Sequence, residues 1–262
     1  MKKLLAMVMC VCLAVMFTAC GKSKDQSDSE YVKEKGKLVI GITDYAPMDY
    51  EKTKGSGEWI GFDADMAKAF AKELGVEAEF VVIEWDNKIM ELKGIDCVWN
   101  GMTITDEVKN GMEVSNAYCK NTQVVVVKKD AADKYKTVES VKDLKFAAEA
   151  GSAGEKALKA LGYSVTAVGA QSDALMEVNA GTSNAAVIDL LMAGAMIGEG
   201  TSYENLAYTV GIADEEDFGV GFRKGSDLAG KLNDFFKKAY SDGSMKETAT
   251  TYGVQEAVIE QK

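Results

Sequence analysis

The chain has 262 residues, 30 basic and 41 acidic, with a net charge of −11 and a pI near 4.7. That length allows one large domain or two of ordinary size, and 47% hydrophobic with 27% charged residues is a globular balance. The acidity argues against nucleic acid, whose phosphates need clustered Lys and Arg, and the lack of histidine excludes His-based acid–base catalysis and the commonest zinc sites.

Residues 1–19 read as a signal peptide. Lys2 and Lys3 precede an uncharged apolar run over residues 4–17, shorter than the ~20 residues of a membrane-spanning helix. The run ends in Phe17-Thr18-Ala19-Cys20-Gly21, which resembles a bacterial lipobox with Phe17 in place of the usual Leu. Cys20 would then carry lipid and begin the mature chain; an ordinary signal with a chance cysteine is the alternative. Residues 20–35 are expected to be the lipidated cysteine and a polar, flexible tether that leaves a body anchored to the cell membrane outside the cytoplasm. Cys97 and Cys119 either pair there or stay as two buried thiols.

Beyond the tether the pattern is α/β. The short apolar run at residues 38–42 predicts a parallel strand, and Gly61-Phe62-Asp63 opens a helix with Met66, Ala67, Phe70, Ala71 and Leu74 at helical spacing. A strand over 80–83, a short helix over 85–92 and a strand over 95–99 follow. Residues 123–129, with four consecutive valines, predict a strand buried on both faces or crossing between lobes. The alternation then restarts with strands at 145–150, 164–168 and 185–188 and helices at 154–161 and 172–180. The restart resembles the first half: Glu73-Leu74-Gly75-Val76 parallels Ala160-Leu161-Gly162-Tyr163, and Ile89-Met90-Glu91-Leu92 parallels Leu175-Met176-Glu177-Val178. A strand at 218–223 and helices at 228–240 and 245–252 close the chain. The reading is two lobes, 36–121 with 213–262 and 122–212, each a mostly parallel sheet flanked by helices, with crossings near 120–123 and 209–214 as a hinge.

Several stretches carry a resemblance in order and spacing: Ile40-Gly41-Ile42 before Tyr45-Ala46-Pro47, Gly61-Phe62-Asp63-Ala64-Asp65, Met102-Thr103-Ile104-Thr105, Ala150-Gly151-Ser152 and Gly219-Val220-Gly221-Phe222-Arg223-Lys224. From about Lys37 to Tyr252 the chain resembles extracellular solute-binding protein family 3 of amino-acid ABC importers. The resemblance implies a two-lobed periplasmic-binding-protein-like fold (type II), no enzymatic activity and no cofactor. Its partners would be an amino acid and a membrane permease, and the protein is expected to be monomeric. It implies that Tyr45 and Trp85 stack on the ligand, that Asn100, Gly101, Met102 and Thr103 offer a strand-to-helix loop to it, and that Ser152 and Ala153 present amides to its carboxylate. Asp189 would hold the ammonium, or else cap the following helix. Glu149 and Asp44 stand near strand ends and either read a cationic side chain or are surface charge. One departure stands out: the family's carboxylate-clamping Arg falls at Val108, and the single Arg of the chain is Arg223. Two other readings remain open, a ligand-presenting sensor domain and a lyase or dehydratase on the same fold.

Overall fold

The computed structural model describes residues 26–262. The signal peptide and Cys20 lie outside the described residues. The chain begins with α1 (Asp28–Lys35), β1 (Lys37–Ile42), a hairpin of β2 (Tyr50–Glu51) and β3 (Trp59–Ile60), and α2 (Phe62–Leu74). Next come β4 (Glu77–Val82), a 3₁₀ turn at Trp85–Asn87 running into α3 (Lys88–Glu91), β5 (Cys97–Thr103), α4 (Asp106–Gly111), β6 (Glu113–Val114) and β7 (Cys119–Asn121). The middle holds β8 (Gln123–Lys128), β9 (Phe146–Glu149), α5 (Ala153–Ala160), β10 (Val165–Val168), α6 (Gln171–Ala180), β11 (Ala185–Asp189), α7 (Leu190–Met196) and β12 (Leu206–Gly211). The end is β13 (Glu216–Phe222), α8 (Leu228–Ser241) and α9 (Ser244–Thr251).

Two sheets result. One has the order β4-β1-β5-β13-β6 with β7 also on β13, and the other β10-β9-β11-β8-β12. Each is mixed: β1 runs parallel to β4 and β5, and β9 parallel to β10 and β11, while β13 and β8 enter antiparallel. β8, which holds the four valines, is buried over its first five residues, which fits a strand covered on both faces. The chain passes from one sheet to the other at Thr122 and returns between Gly211 and Glu216. α2 turns Phe62, Met66 and Phe70 onto the first sheet, each such side chain contributing roughly 1.5–3 kcal/mol by burial. There they meet Trp99, Tyr118, Phe235 and Phe236 of the aromatic core.

Two sequence expectations need correction here. The segment read as tether is helical from Asp28: Ser27 caps α1 in a capping box, Ser29 bonds twice to Asp227, and Val32 is fully buried. Arg223 fixes the same helix by pairing Asp28 at 3.2 Å and Asp96 at 3.3 Å. Polar composition misled because these polar groups find buried partners instead of water. Residues 100–103, expected in a loop, continue β5 as far as Thr103, because β13 pairs with them, Phe218 opposite Thr103 and Gly219 opposite Met102. Cys97 and Cys119 are both free, and burial pushes both thiols well up.

Candidate functional site

The C-terminal ends of the parallel strands of both sheets converge between the lobes, the position where open α/β sheets gather ligand groups. From the first lobe, β1 leads into Thr43 and Tyr45, and β5 brings Asn100 to Thr103. From the second, β9 ends in Glu149 followed by Gly151 and Ser152, and β11 ends in Asp189.

One end of the cleft is rich in acceptors. Strand register sets Gln123 opposite Asp189 and Asn121 opposite Glu216. Asn121 Nδ2 and Gln123 Nε2 each donate to Asp189 Oδ1 at 2.5 Å and to Glu216 Oε1 at 2.6 Å. Gln171 Nε2 donates to Asp189 Oδ2, and the Asp189 amide returns a bond to Gln171 Oε1 at 2.8 Å. Asp189 thus stands at the start of α7, yet its side chain does not cap the helix. Burial, then the neighbouring Glu216, raise its carboxyl to about 7. Tyr45 Oη lies beside this carboxylate without completing a hydrogen bond. Asn100 Nδ2 donates to Thr43 Oγ1 at 2.8 Å, leaving Asn100 Oδ1 unpartnered. Glu149, 2% exposed and beside Thr43, has an unpartnered Oε1, and burial raises its carboxyl to about 8. Asp44 is exposed, close to Ser172 and Asp173.

The other end is rich in donors. Trp85, Lys88, Thr103, Val108, Ala153 and Gly151 are among the residues around a small cavity of about 20 Å³. Ser152 caps α5 by accepting from the Glu155 amide, so its hydroxyl oxygen serves the helix. Thr105, two residues after Thr103, caps α4 by accepting from the Val108 amide at 3.2 Å. Met102 and Val108 are buried with Val39, Ile83 and Trp85 in the apolar cluster of the first lobe. Trp99 packs on Phe70 and Phe236, in the core.

Glycines permit the close approaches. Gly101 has φ +56° and donates its amide to Asp63; a Cβ there would lie 2.5 Å from Tyr45 Cε1. Gly151 has φ +70°, and a Cβ there would lie 2.6 Å from Asp86 Cα on the opposite lobe. Lys88 Nζ also reaches across, donating to Gly151 O at 3.2 Å, and Lys156 meets Glu107 at 2.5 Å. The lobes are therefore closed on each other. The residues that composition and motif overlooked are Lys88, Thr43, Asn121, Gln123, Gln171 and Glu216. Lys88 did leave a trace: Trp85, Lys88, Ile89 and Leu92 share helical spacing, so a charge stands on an otherwise inward, apolar face.

Two sheets that exchange the chain twice and place polar groups between their strand ends define a two-lobed binding protein. The chain belongs to the bacterial extracellular solute-binding proteins, family 3, which it matches over residues 38–255. It is 30% identical over 257 residues to the arginine-binding extracellular protein ArtP of Bacillus subtilis (strain 168), covering 94% of this chain and 96% of that one. It is 29% identical over 221 residues to the L-cystine-binding protein TcyJ of Escherichia coli (strain K12), covering 82% of each. Among solved structures, an amino-acid ABC transporter substrate-binding protein of Streptococcus pneumoniae Canada MDR_19A bound to L-arginine superposes with a TM-score of 0.79 at 28% identity, over 90% of this chain and 100% of that one.

Proposed function

We propose that this protein captures an amino acid between its lobes and delivers it to the membrane permease of an ABC importer. The observation that carries the reading is a pair of polar groupings at the strand ends of the two lobes: buried acceptors at Asp189, Glu149 and Asn100, and a small cavity lined by Lys88, Thr103 and Ala153. A zwitterion needs opposed acceptors and donors, since burying either charge unpaired costs several kcal/mol. Glu149 adds a second carboxyl beside Asp189, which supports a ligand whose side chain also offers donors, as arginine would. Relatives named for arginine and cystine binding agree with a polar amino acid.

Tyr45 and Trp85 flank the ligand on this reading, and Thr122 with residues 212–215 forms the hinge. The protein works as a monomer, held to the outer face of the membrane through lipid on Cys20. A thermal-shift screen of the twenty common L-amino acids and L-cystine tests the capture, because a ligand bound only by the folded state raises the melting temperature. No shift with any of them would refute it. Small-angle scattering at saturating ligand should show a smaller radius of gyration than the empty protein. Cys20→Ala should appear in the soluble fraction or accumulate unprocessed; normal processing and membrane retention would refute the anchor.

A further inference from the structure

Lys88 stands in the first turn of α3 and is only 7% exposed. Its Nζ donates to Trp85 O at 3.0 Å and to Gly151 O at 3.2 Å, and lies 4.8 Å from the Trp85 ring centroid. Among the described residues no carboxylate pairs with it within 4.0 Å. The carboxylates that act on it, Glu107, Glu149 and Asp86, do so from beyond ion-pair distance, and Glu107 is held by Lys156. An ammonium has three donors, and two carbonyls use two of them. Burying a cation against carbonyls alone is costly, and burial with the nearby Lys156 pushes its pKa down to about 8. A charge placed there at such cost has a use.

The cavity that Lys88 lines supplies the rest. Around it stand Thr103, which carries a hydroxyl, Ala153 at the start of α5, and Lys156. The Ala153 amide has no carbonyl partner among the described residues. These are donors and positive charges, and no acidic side chain lines the space. Val108 forms another part of the same wall and is neutral.

We infer that Lys88 is a ligand-binding and specificity-determining residue, which pairs with the ligand's carboxylate from α3 while Val108 on α4 leaves room for it. The assignment rests on the amino-acid reading of the cleft. It explains how a chain with one arginine, and that one tied to Asp28 and Asp96, closes on an anionic group. Lys88 acts as a point charge, so orientation of the carboxylate falls to the Thr103 hydroxyl and the Ala153 amide rather than to a planar guanidinium fork.

The test compares the L-amino acid giving the largest thermal shift with its carboxamide, by calorimetry on the mature protein. Wild type should prefer the free acid. Lys88→Met should weaken the free acid about 30-fold or more, as for loss of a buried charge pair, and change the carboxamide by less than about 3-fold. Lys88→Arg should keep the preference. Adding Val108→Arg to Lys88→Met should recover about 10-fold or more, by returning a cation to the same wall. Equal weakening of acid and carboxamide by Lys88→Met would make Lys88 a lobe-closing residue and overturn the inference while amino-acid capture stands. Unchanged affinity for both would do the same. Absence of a thermal shift with every amino acid would overturn the capture reading and this inference together.

Discussion

Gly151→Ala separates the cost of closure from the cost of folding. The alanine Cβ would stand 2.6 Å from Asp86 Cα and 3.0 Å from Asp86 Cβ, where carbon contacts favour about 3.5–4.0 Å. Asp86 belongs to the other lobe, so the lobes must part by about 1 Å at this point, straining the Lys88 bond to Gly151 O. Overpacking of this kind costs about 1–3 kcal/mol, which corresponds to about 5- to 150-fold in ligand affinity. The variant also forces alanine into the left-handed region. Gly162→Ala is the control: it lies in the same lobe with φ +73°, and nothing stands within 4 Å of the added carbon. Both variants should lose about 1–2 kcal/mol of stability, read as a melting temperature lower by about 2–8 °C. Only Gly151→Ala should bind more weakly by calorimetry and compact less in scattering. Affinities of the two variants within about 2-fold of each other would refute the claim that the Gly151–Asp86 contact belongs to the bound state.

Asp189→Asn should weaken binding of the same amino acid by about 2–5 kcal/mol, while exposed Asp217→Asn leaves it unchanged; equal affinities in calorimetry would remove Asp189 from the site. Asp189 near 7 and Glu149 near 8 both sit above the usual carboxylate range, so the folded state holds more protons than the unfolded between about pH 4 and 8. Their contribution to the stability of the empty protein is present at low pH and is lost as pH rises through that window. The fall in melting temperature from pH 5 to 8.5 should therefore be smaller in Asp189→Asn/Glu149→Gln than in wild type, and an equal or steeper fall would contradict those shifts. Arg223→Met should remove a guanidinium shared by the buried Asp28 and Asp96, with Lys35 still on Asp96 at 2.6 Å. A loss of about 3 kcal/mol, or about 6–12 °C, is expected in a thermal melt with ligand affinity intact, since Arg223 lies at the strand ends away from the cleft.

The parallel strands and their helices were legible because burial imposes a period: the apolar run at 38–42 and the Met66, Phe70, Leu74 spacing became β1 and α2. Two antiparallel strands were harder. The two-residue β6 is too short to show a period, six-residue β12 is mostly half-buried or exposed without alternation, and only their pairing to β13 and β8 makes them strands. The site followed the same division. Asp189 and Thr103 are candidates that strand ends mark, whereas Asn100 lies inside β5. Asn121, Gln123 and Glu216 gain their roles only from register, which joins residues about 70 to 95 positions apart. Lys88 was passed over because a lysine among charged neighbours resembles a solvated one until its burial is known.

The Glu107–Lys156 pair spans the mouth of the cleft with side chains 63% and 45% exposed. Such a pair contributes about 0–1 kcal/mol and is screened over a Debye length of about 8 Å at 0.15 M ionic strength. A solute-binding protein outside the cytoplasm takes the ionic strength of its surroundings. Dilute medium would strengthen this outer clasp and favour the shut form, and brine would loosen it. The empty protein's open fraction would then follow external salinity by up to about 5-fold, while the buried groups that hold the solute barely sense it.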